Sequence, residues 1–341
     1  MMYRDFAELL QKFFEDYLVK ERGVSKNTMR SYRDCFVQFL EYLTSYRRIK
    51  PQDVSMDIMN RDLIVNFLNW LEDNNNCSIQ TRNQRLSCMR SFFSYMMYLD
   101  PSHLAQWKGI CTIKRKKCES GILNYLSIES IAHILHEVDT SNIQGRRNLT
   151  LLSLLYNSGI RVQELIDLTP SCLSLSGPHV LKVYGKGRKH RVIPLDQPIM
   201  ELLASYMHEQ KLDLPGKECY PLFFNARHEK LTPPGVGYIL DKYFQLAKKK
   251  MPDSFPDKIS PHVFRHSRAM HLLQAGVNLI YIRDVLGHAT IITTERYARV
   301  DTKAKREALE NAYASIGIVE PETKTWEDNN KILNLLKNYK F

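Results

Sequence analysis

The stretch His179-Val180-Leu181-Lys182-Val183-Tyr184-Gly185-Lys186-Gly187-Arg188-Lys189-His190-Arg191-Val192-Ile193-Pro194-Leu195 decides the fold class. Val180 to Tyr184 and His190 to Leu195 are short β-prone runs, and Gly185-Lys186-Gly187 brackets a turn between them. Two such runs around a glycine turn predict a β-hairpin. In most of the remaining chain the apolar residues recur at three and four, the spacing of a helix. The chain is therefore expected to be mostly α, with one small antiparallel β-sheet in its second half.

Upstream of the hairpin, Leu149 to Tyr156 is a nearly continuous apolar run, too apolar for a surface helix. Ser127 can cap an earlier helix, with Glu129 in its first turn favoured by the helix dipole. The first hundred residues carry four amphipathic stripes. Phe6, Leu9, Leu10, Phe13, Phe14 and Tyr17 form the first, and Met29, Tyr32, Phe36, Phe39, Leu40 and Leu43 the second. Leu63, Ile64, Phe67, Leu68 and Leu71 form the third, and Leu86, Met89, Phe92, Phe93 and Met96 the fourth. Gly23 ends the first helix and Ser25 caps the second. Helices this apolar on one face must bury it, so residues 1–100 are expected to form a helical bundle. Asp100-Pro101 closes that bundle, and residues 101–121 read as a basic linker holding Lys114-Arg115-Lys116-Lys117. Residues 122–316 form an α-rich second domain around the hairpin, its last helix running from about Asp301 to Ser315. Gly317 and Pro321 set off residues 317–341, where Trp326, Ile332, Leu335, Leu336 and Tyr339 at helical spacing predict a tail helix.

Lysine and arginine number 48 against 37 acidic residues, a formal net charge of +11. That excess suits a polyanion partner, and it equally suits a basic soluble enzyme. Lys26, Arg30 and Arg33 fall on the second helix and Arg82, Arg85 and Arg90 on the fourth. With the run Lys114 to Lys117 they form the expected DNA-binding set, straddling a duplex through its phosphates; alone, each is also a solvated face. Seven cysteines include no Cys-x-x-Cys; Cys35 and Cys88 sit in apolar helical patterns, so neither a disulfide framework nor a zinc site is expected. No apolar run approaches the roughly 18 residues that cross a bilayer, and Met1 to Phe6 is a mixed-charge opening unlike a signal peptide. The expected location is the cytoplasm.

Reactive side chains concentrate in four segments. Tyr156-Asn157-Ser158-Gly159-Ile160-Arg161-Val162-Gln163-Glu164-Leu165 is the first, and the hairpin tip with Lys186 the second. The third is Ser260-Pro261-His262-Val263-Phe264-Arg265-His266, where Ser-Pro starts a helix and places His262 and Arg265 on one face of its first turns. Unpaired amides at such a helix start already favour an anion. The fourth is Leu286-Gly287-His288-Ala289 followed by Thr293-Thr294-Glu295-Arg296-Tyr297. Gly287 suits a helix C-terminus and leaves His288 projecting from a turn.

In this order the segments closely resemble the tyrosine recombinase/integrase family. The resemblance rests on Gly159-Ile160-Arg161 with Glu164-Leu165, on Lys186, on His262, Arg265 and His266, on Leu286-Gly287-His288, and on Thr293, Thr294 and Tyr297. It covers nearly the whole chain, since the helical N-terminal domain looks like the family's core-binding, SAM-like domain. The family chemistry implies that Arg161, Arg265 and His288 bind the scissile phosphate and Tyr297 attacks it. His262 accepts or shuttles the phenol proton, and Lys186 protonates the departing 5′-oxygen. Glu164 and His266 support the site from behind, Glu164 by orienting Arg161 or His262 and His266 as a structural hydrogen-bonder. His266 and His271 have no cysteine or carboxylate cluster that would make a metal site. Tyr281 and Tyr313 are expected to pack, and Arg268 to contact DNA or pair locally. No cofactor and no metal is expected.

The resemblance further implies double-stranded DNA with inverted-repeat core sites, a homo-tetramer in the synapse, and a monomer or dimer off DNA. The tail helix docks in a neighbouring protomer or on its own domain. Residues 271–282 look like those of mobile-element integrases, so integration, excision or transposition leads. The alternatives are a housekeeping chromosome-dimer resolvase, a type IB topoisomerase-like activity and a non-catalytic DNA-binding regulator.

Overall fold

The computed structural model describes residues 6–118, 124–174, 177–185 and 190–300, and the chain divides between residues 121 and 122 into two compact units. In the first, α1 (Phe6–Lys12) continues as a π-helical segment, Phe13–Glu21. It is followed by α2 (Lys26–Ser45), α3 (Arg61–Asp73) and α4 (Ile79–Leu99). Each of these three starts at a polar cap that accepts an otherwise unpaired amide: Ser25 from Thr28, Asn60 from Leu63, Ser78 from Thr81. The four apolar stripes meet in one core dominated by rings. Phe13 and Phe36 meet Phe92 edge-on at 5.3 and 5.2 Å, and Phe39 meets Phe67 at 5.1 Å. Edge contacts of this kind have a preferred geometry, so they set the rotation of the helices as well as burying them. Cys35 and Cys88 lie in this core, as their apolar setting predicts.

The predicted linker is corrected in its first half. Pro101–His103 forms a 3-10 turn and α5 (Leu104–Cys111) packs on α4. Trp107, Ile110 and Ile113 are buried in the same core. Asp100-Pro101 ends a helix without ending the bundle, because apolar spacing resumes at those three residues.

The second unit opens with α6 (Ile128–His136), capped by Ser127 as predicted, then α7 (Ile143–Ser158) and the short α8 (Val162–Ile166). A three-stranded antiparallel sheet follows, in the order β1 (Leu173–Ser174), β2 (Val180–Tyr184), β3 (His190–Pro194). The predicted hairpin is β2–β3, in a register that pairs Leu181 with Ile193 and Val183 with Arg191. β1 is an addition; two residues are too short to show a period. Five more helices complete the described unit: α9 (Gln197–Glu209), α10 (Pro233–Lys250), α11 (Pro261–Gln274), α12 (Leu279–Leu286) and α13 (Ile292–Val300). α7 runs through the middle, against α6, α9 and α11. Leu151, Leu152, Leu154 and Leu155 are all buried, so α7 is covered around most of its circumference.

A smaller apolar cluster gathers Ala269, Met270, Ile282, Leu286 and Tyr297 from α11, α12 and α13. Tyr281 is a correction: expected to pack, it is 66% exposed, because Ile282 and Leu286 take the buried positions of α12. Tyr313, the helix expected over 301–315 and the tail at 317–341 lie outside the described residues. Among the described residues no helix is long and apolar enough to cross a membrane.

Candidate active site

Two left-handed glycines build the floor of the site. Gly159 (φ +60°) ends α7 and Gly287 (φ +65°) ends α12. Carbonyls at a helix C-terminus lack partners within the helix and so can accept from elsewhere. Arg265, on α11 and 3% exposed, takes two carbonyls at these ends, donating to Gly159 O at 2.8 Å and Leu286 O at 2.6 Å. Arg161 begins α8. Its backbone N–H donates to Glu164 Oε2 at 2.8 Å, its Nη1 to Glu164 Oε1 at 3.0 Å and its Nη2 to Gly287 O at 3.2 Å. Both guanidiniums are thus locked by fixed acceptors. Each terminal nitrogen carries a second proton that these bonds leave for a ligand.

Glu164 is buried, and it holds Arg161 as expected; no bond ties it to His262 among the described contacts. It also accepts two bonds from Arg191 of β3, a partner sequence reasoning missed. His262 stands in the first turn of α11, open to solvent. Ser260 occupies the cap position ahead of it, with Pro261 next, but its hydroxyl makes no capping bond.

Tyr297 is 2% exposed, and its ring lies parallel to the His288 ring at 6.3 Å. Its hydroxyl hydrogen-bonds His266 Nδ1 at 2.8 Å. His262 was the expected proton acceptor; among the described contacts the Tyr297 hydroxyl bonds His266 instead. His266 is one turn further along the same face of α11 and reaches α13, where His262 does not. His288 leaves the turn after Gly287 as expected, with Nδ1 2.9 Å from Thr294 Oγ1. The tautomer that accepts from Thr294 keeps its other ring nitrogen protonated, a donor for an anion.

The charges set the protonation states. Burial, then the nearby cations of Arg296, His262 and Arg265, push His266 down to about 4. Burial, then Arg265, Arg161, His266 and Arg191, push His288 to about 4 as well. Both rings are neutral at neutral pH, so His266 has a lone pair for the phenol proton. Burial raises Tyr297 above the ordinary phenol value against the opposing pull of Arg265, Arg296 and Arg161. The phenol therefore stays protonated until a base takes its proton. Burial pushes Arg265 down to about 10, still a cation at neutral pH. Partial burial and the repulsion of Arg265 and Arg161 lower His262.

An open cleft of about 510 Å³ runs past Arg161, Arg191, Gly287 and His288 to Gly185 and His190 of the hairpin, a ligand-sized void. A larger hollow of about 610 Å³, at Asn124–Ser130 and Met251–Pro256, holds none of these groups. Lys186 lies outside the described residues. His271 bonds the Tyr156 hydroxyl at 2.8 Å, and the Arg268 guanidinium lies over the Tyr156 ring at 5.6 Å, which is the local pairing.

The expected DNA-binding set divides. Lys26, Arg30 and Arg33 are exposed on α2, Arg33 paired with Asp34. Lys114, Arg115, Lys116 and Lys117 are exposed; Arg115 reaches Ser87 and Lys116 reaches Glu72. The α4 residues are corrected. Arg82 is 3% exposed, its Nε 3.7 Å from Glu72. Arg85 bonds Gln38 and the Ser31 carbonyl of α2, and Arg90 bonds the Ile113 carbonyl. α4 packs against α2, α3 and α5, so Arg82 is buried between helices and Arg85 and Arg90 are half-buried.

The comparisons with known proteins identify the family. Residues 124–304 match the phage integrase family and residues 11–98 its N-terminal SAM-like domain. The chain is 33% identical to a putative integrase/recombinase, y4rC, of Sinorhizobium fredii, over 90% of this chain and 91% of that one. It is 30% identical to the tyrosine recombinase XerC of Syntrophus aciditrophicus, over 89% and 97%. The fold is similar to that of the XerH site-specific recombinase in its post-cleavage complex (TM-score 0.69, 20% identity, 89% and 87% covered). It is equally similar to the Tn1549 transposon integrase bound to transposon right end DNA (TM-score 0.70, 15% identity, 89% and 98% covered). With Arg161, Arg265, His288 and a buried phenol held in one cluster, the chain belongs to the phage integrase family of tyrosine recombinases, enzymes that cleave and rejoin DNA strands.

Proposed function

We propose that this chain recombines specific DNA sites through Tyr297, and that His266 is the base that starts the reaction. The observation that carries it is the 2.8 Å bond between the Tyr297 hydroxyl and a neutral His266, beside two guanidiniums fixed on carbonyls. Arg161 and Arg265 bind the non-bridging oxygens of one phosphodiester, where negative charge builds up as the phenol attacks. Preorganised charge of this kind is usually the largest catalytic contribution. His288 donates to the same phosphate, and His262, open on the same face as Arg265, adds a further bond.

The phenol proton passes to His266 Nδ1 as the tyrosine oxygen bonds phosphorus. The bond to the 5′-oxygen breaks, and that oxygen takes a proton, from Lys186 by the family resemblance. The product is a 3′-phosphotyrosine and a free 5′-hydroxyl. A second strand's hydroxyl reverses the step without ATP, because the bond energy stays on Tyr297. The substrate is a duplex with inverted-repeat core sites, held by a homo-tetramer, and the role is integration, excision or transposition of a mobile element. The exposed Lys26, Arg30, Arg33 and the run Lys114 to Lys117 support phosphate contacts with the duplex.

The test is a duplex carrying an end of the element that encodes this chain, nicked next to the cut so that the released fragment diffuses away. Wild type should form a covalent adduct on a denaturing gel, and Y297F should form none. An adduct in Y297F refutes the assignment of Tyr297. A housekeeping resolvase is the second reading, favoured by the 30% identity to a XerC over nearly its whole length. Adduct on a chromosomal site but on no element end would establish it. Supercoil relaxation without exchanged products would point to a topoisomerase.

A further inference from the structure

The residues of β3 that face inward are Arg191 and Ile193, across from Val183 and Leu181. A guanidinium at an inward strand position is unusual, since arginine is almost never buried without partners. Its side chain is only 11% exposed. The partners account for it. Nη1 and Nη2 donate to Glu164 Oε1 and Oε2 at 3.0 and 2.7 Å, fork against fork. Nε donates to the Val285 carbonyl at 2.8 Å, two residues before Gly287. Gly287 lies flat on the same guanidinium: a Cβ there would come within 2.8 Å of Nη1.

Glu164 therefore stands between two arginines, Arg191 behind it and Arg161 in front. Burial works to raise its carboxyl, but the bonds from Arg191 and then Arg161 outweigh burial and hold it below the usual carboxylate range. The same arginine thus meets three segments far apart in sequence: the hairpin, the start of α8, and the turn that presents His288. We infer that Arg191 is a positioning residue for strand cleavage, neutralising Glu164 and bracing the Gly287 turn so that Arg161 and His288 face one phosphate. This rests on the reading of that cluster as the cleavage site.

The chemistry is asymmetric. Without Arg191, Glu164 keeps its charge but loses two donors. It can then recruit the remaining protons of Arg161, and it stands as an uncompensated anion beside the phosphate. Removing the charge from Glu164 at the same time should relieve both effects. A merely structural role for Arg191 predicts no such relief.

The experiment uses the full chain and the nicked duplex that traps the wild-type adduct. R191M should slow adduct formation by about 10–100-fold, the usual size for a group that orients a site from behind, with duplex binding nearly unchanged. E164Q/R191M should recover a large part of that loss. R191K, which keeps the charge but not the fork, should fall between wild type and R191M. On a duplex with a neutral methylphosphonate at the cut, the gap between wild type and R191M should narrow. Should R191M not fold, R191K and the double variant carry the comparison. The inference is overturned if R191M or R191K forms adduct at the wild-type rate. It is also overturned if E164Q gives no relief and the methylphosphonate leaves the gap unchanged. A wild-type chain that yields no adduct, or a Y297F chain that does, would instead overturn the reading of the site.

Discussion

The arginines of α4 and those of the proposed cleavage site are alike in being partnered and opposite in use. Arg82, Arg85 and Arg90 bond within the first unit to local neighbours, among them Glu72, Gln38 with the Ser31 carbonyl, and the Ile113 carbonyl. Arg161, Arg191 and Arg265 are held as firmly, by carbonyls at helix ends and one carboxylate. What separates the two groups is convergence. Arg161 and Arg191 share one carboxylate, and Arg265 and two neutral imidazoles lie close enough to feel the same charges, which leaves an excess of positive charge in one place. On α4 each cation is tied to its own neighbours. A partnered arginine is therefore uninformative by itself; several that share too few anions mark a place for a missing one.

That contrast can be broken by substitution. Y297F should abolish the covalent adduct while leaving duplex binding intact, read on a denaturing gel and by gel shift. R161A should lower the adduct rate by about 10²–10³-fold, the usual effect of removing one preorganised donor, with binding changed far less. Equal loss of both would place Arg161 with the α4 group. A third measurement concerns protonation. NMR titration of the DNA-free chain should find His266 and His288 half-protonated near pH 4, not at the ordinary 6.5. For His266, the proposed base, a depressed value means that its lone pair is available at pH above about 4 and is lost below it. Half-protonation near 6.5 for either ring would remove the cationic surroundings assigned to it.

The α4 group should behave in the opposite way. R82A leaves Glu72 without one of its two cationic neighbours and should cost about 1–3 kcal/mol in urea unfolding, as for other buried polar groups left short of a partner. Adduct formation by the folded chain should be unchanged. R30A, from the exposed face of α2, should do least: no loss of stability, and a salt dependence of duplex binding shallower by about one phosphate. An unaltered slope would remove α2 from the contact surface.

Features settled by a few neighbouring residues were legible beforehand. The hairpin followed from the β runs around Gly185-Lys186-Gly187, and the helix starts at Ser25 and Ser127 followed from cap chemistry. The reactive residues were recognisable as a set, because family resemblance names residue types in order. Their partners were not. His266 meets Tyr297 across 31 positions and Arg191 meets Glu164 across 27, and nothing local encodes either distance. One signal was available for Arg191: a charge at the inward phase of a strand whose neighbours in phase are Ile193 and Leu195. The basic residues of α4 misled for a related reason. A helical stripe assumes one neighbouring surface, whereas α4 is enclosed by α2, α3 and α5. Trp107, Ile110 and Ile113 extended the bundle past a break that looked final.

Tyr297 shares its pocket with Ala269, Met270, Ile282 and Leu286. An ester formed on that oxygen is shielded from bulk water on its ring side by aliphatic carbon. On the proposed assignment of Tyr297, water could approach such an ester only from the side that the aliphatic cluster leaves uncovered. A patch of grease under one phenol thus narrows the directions from which the proposed linkage could be lost.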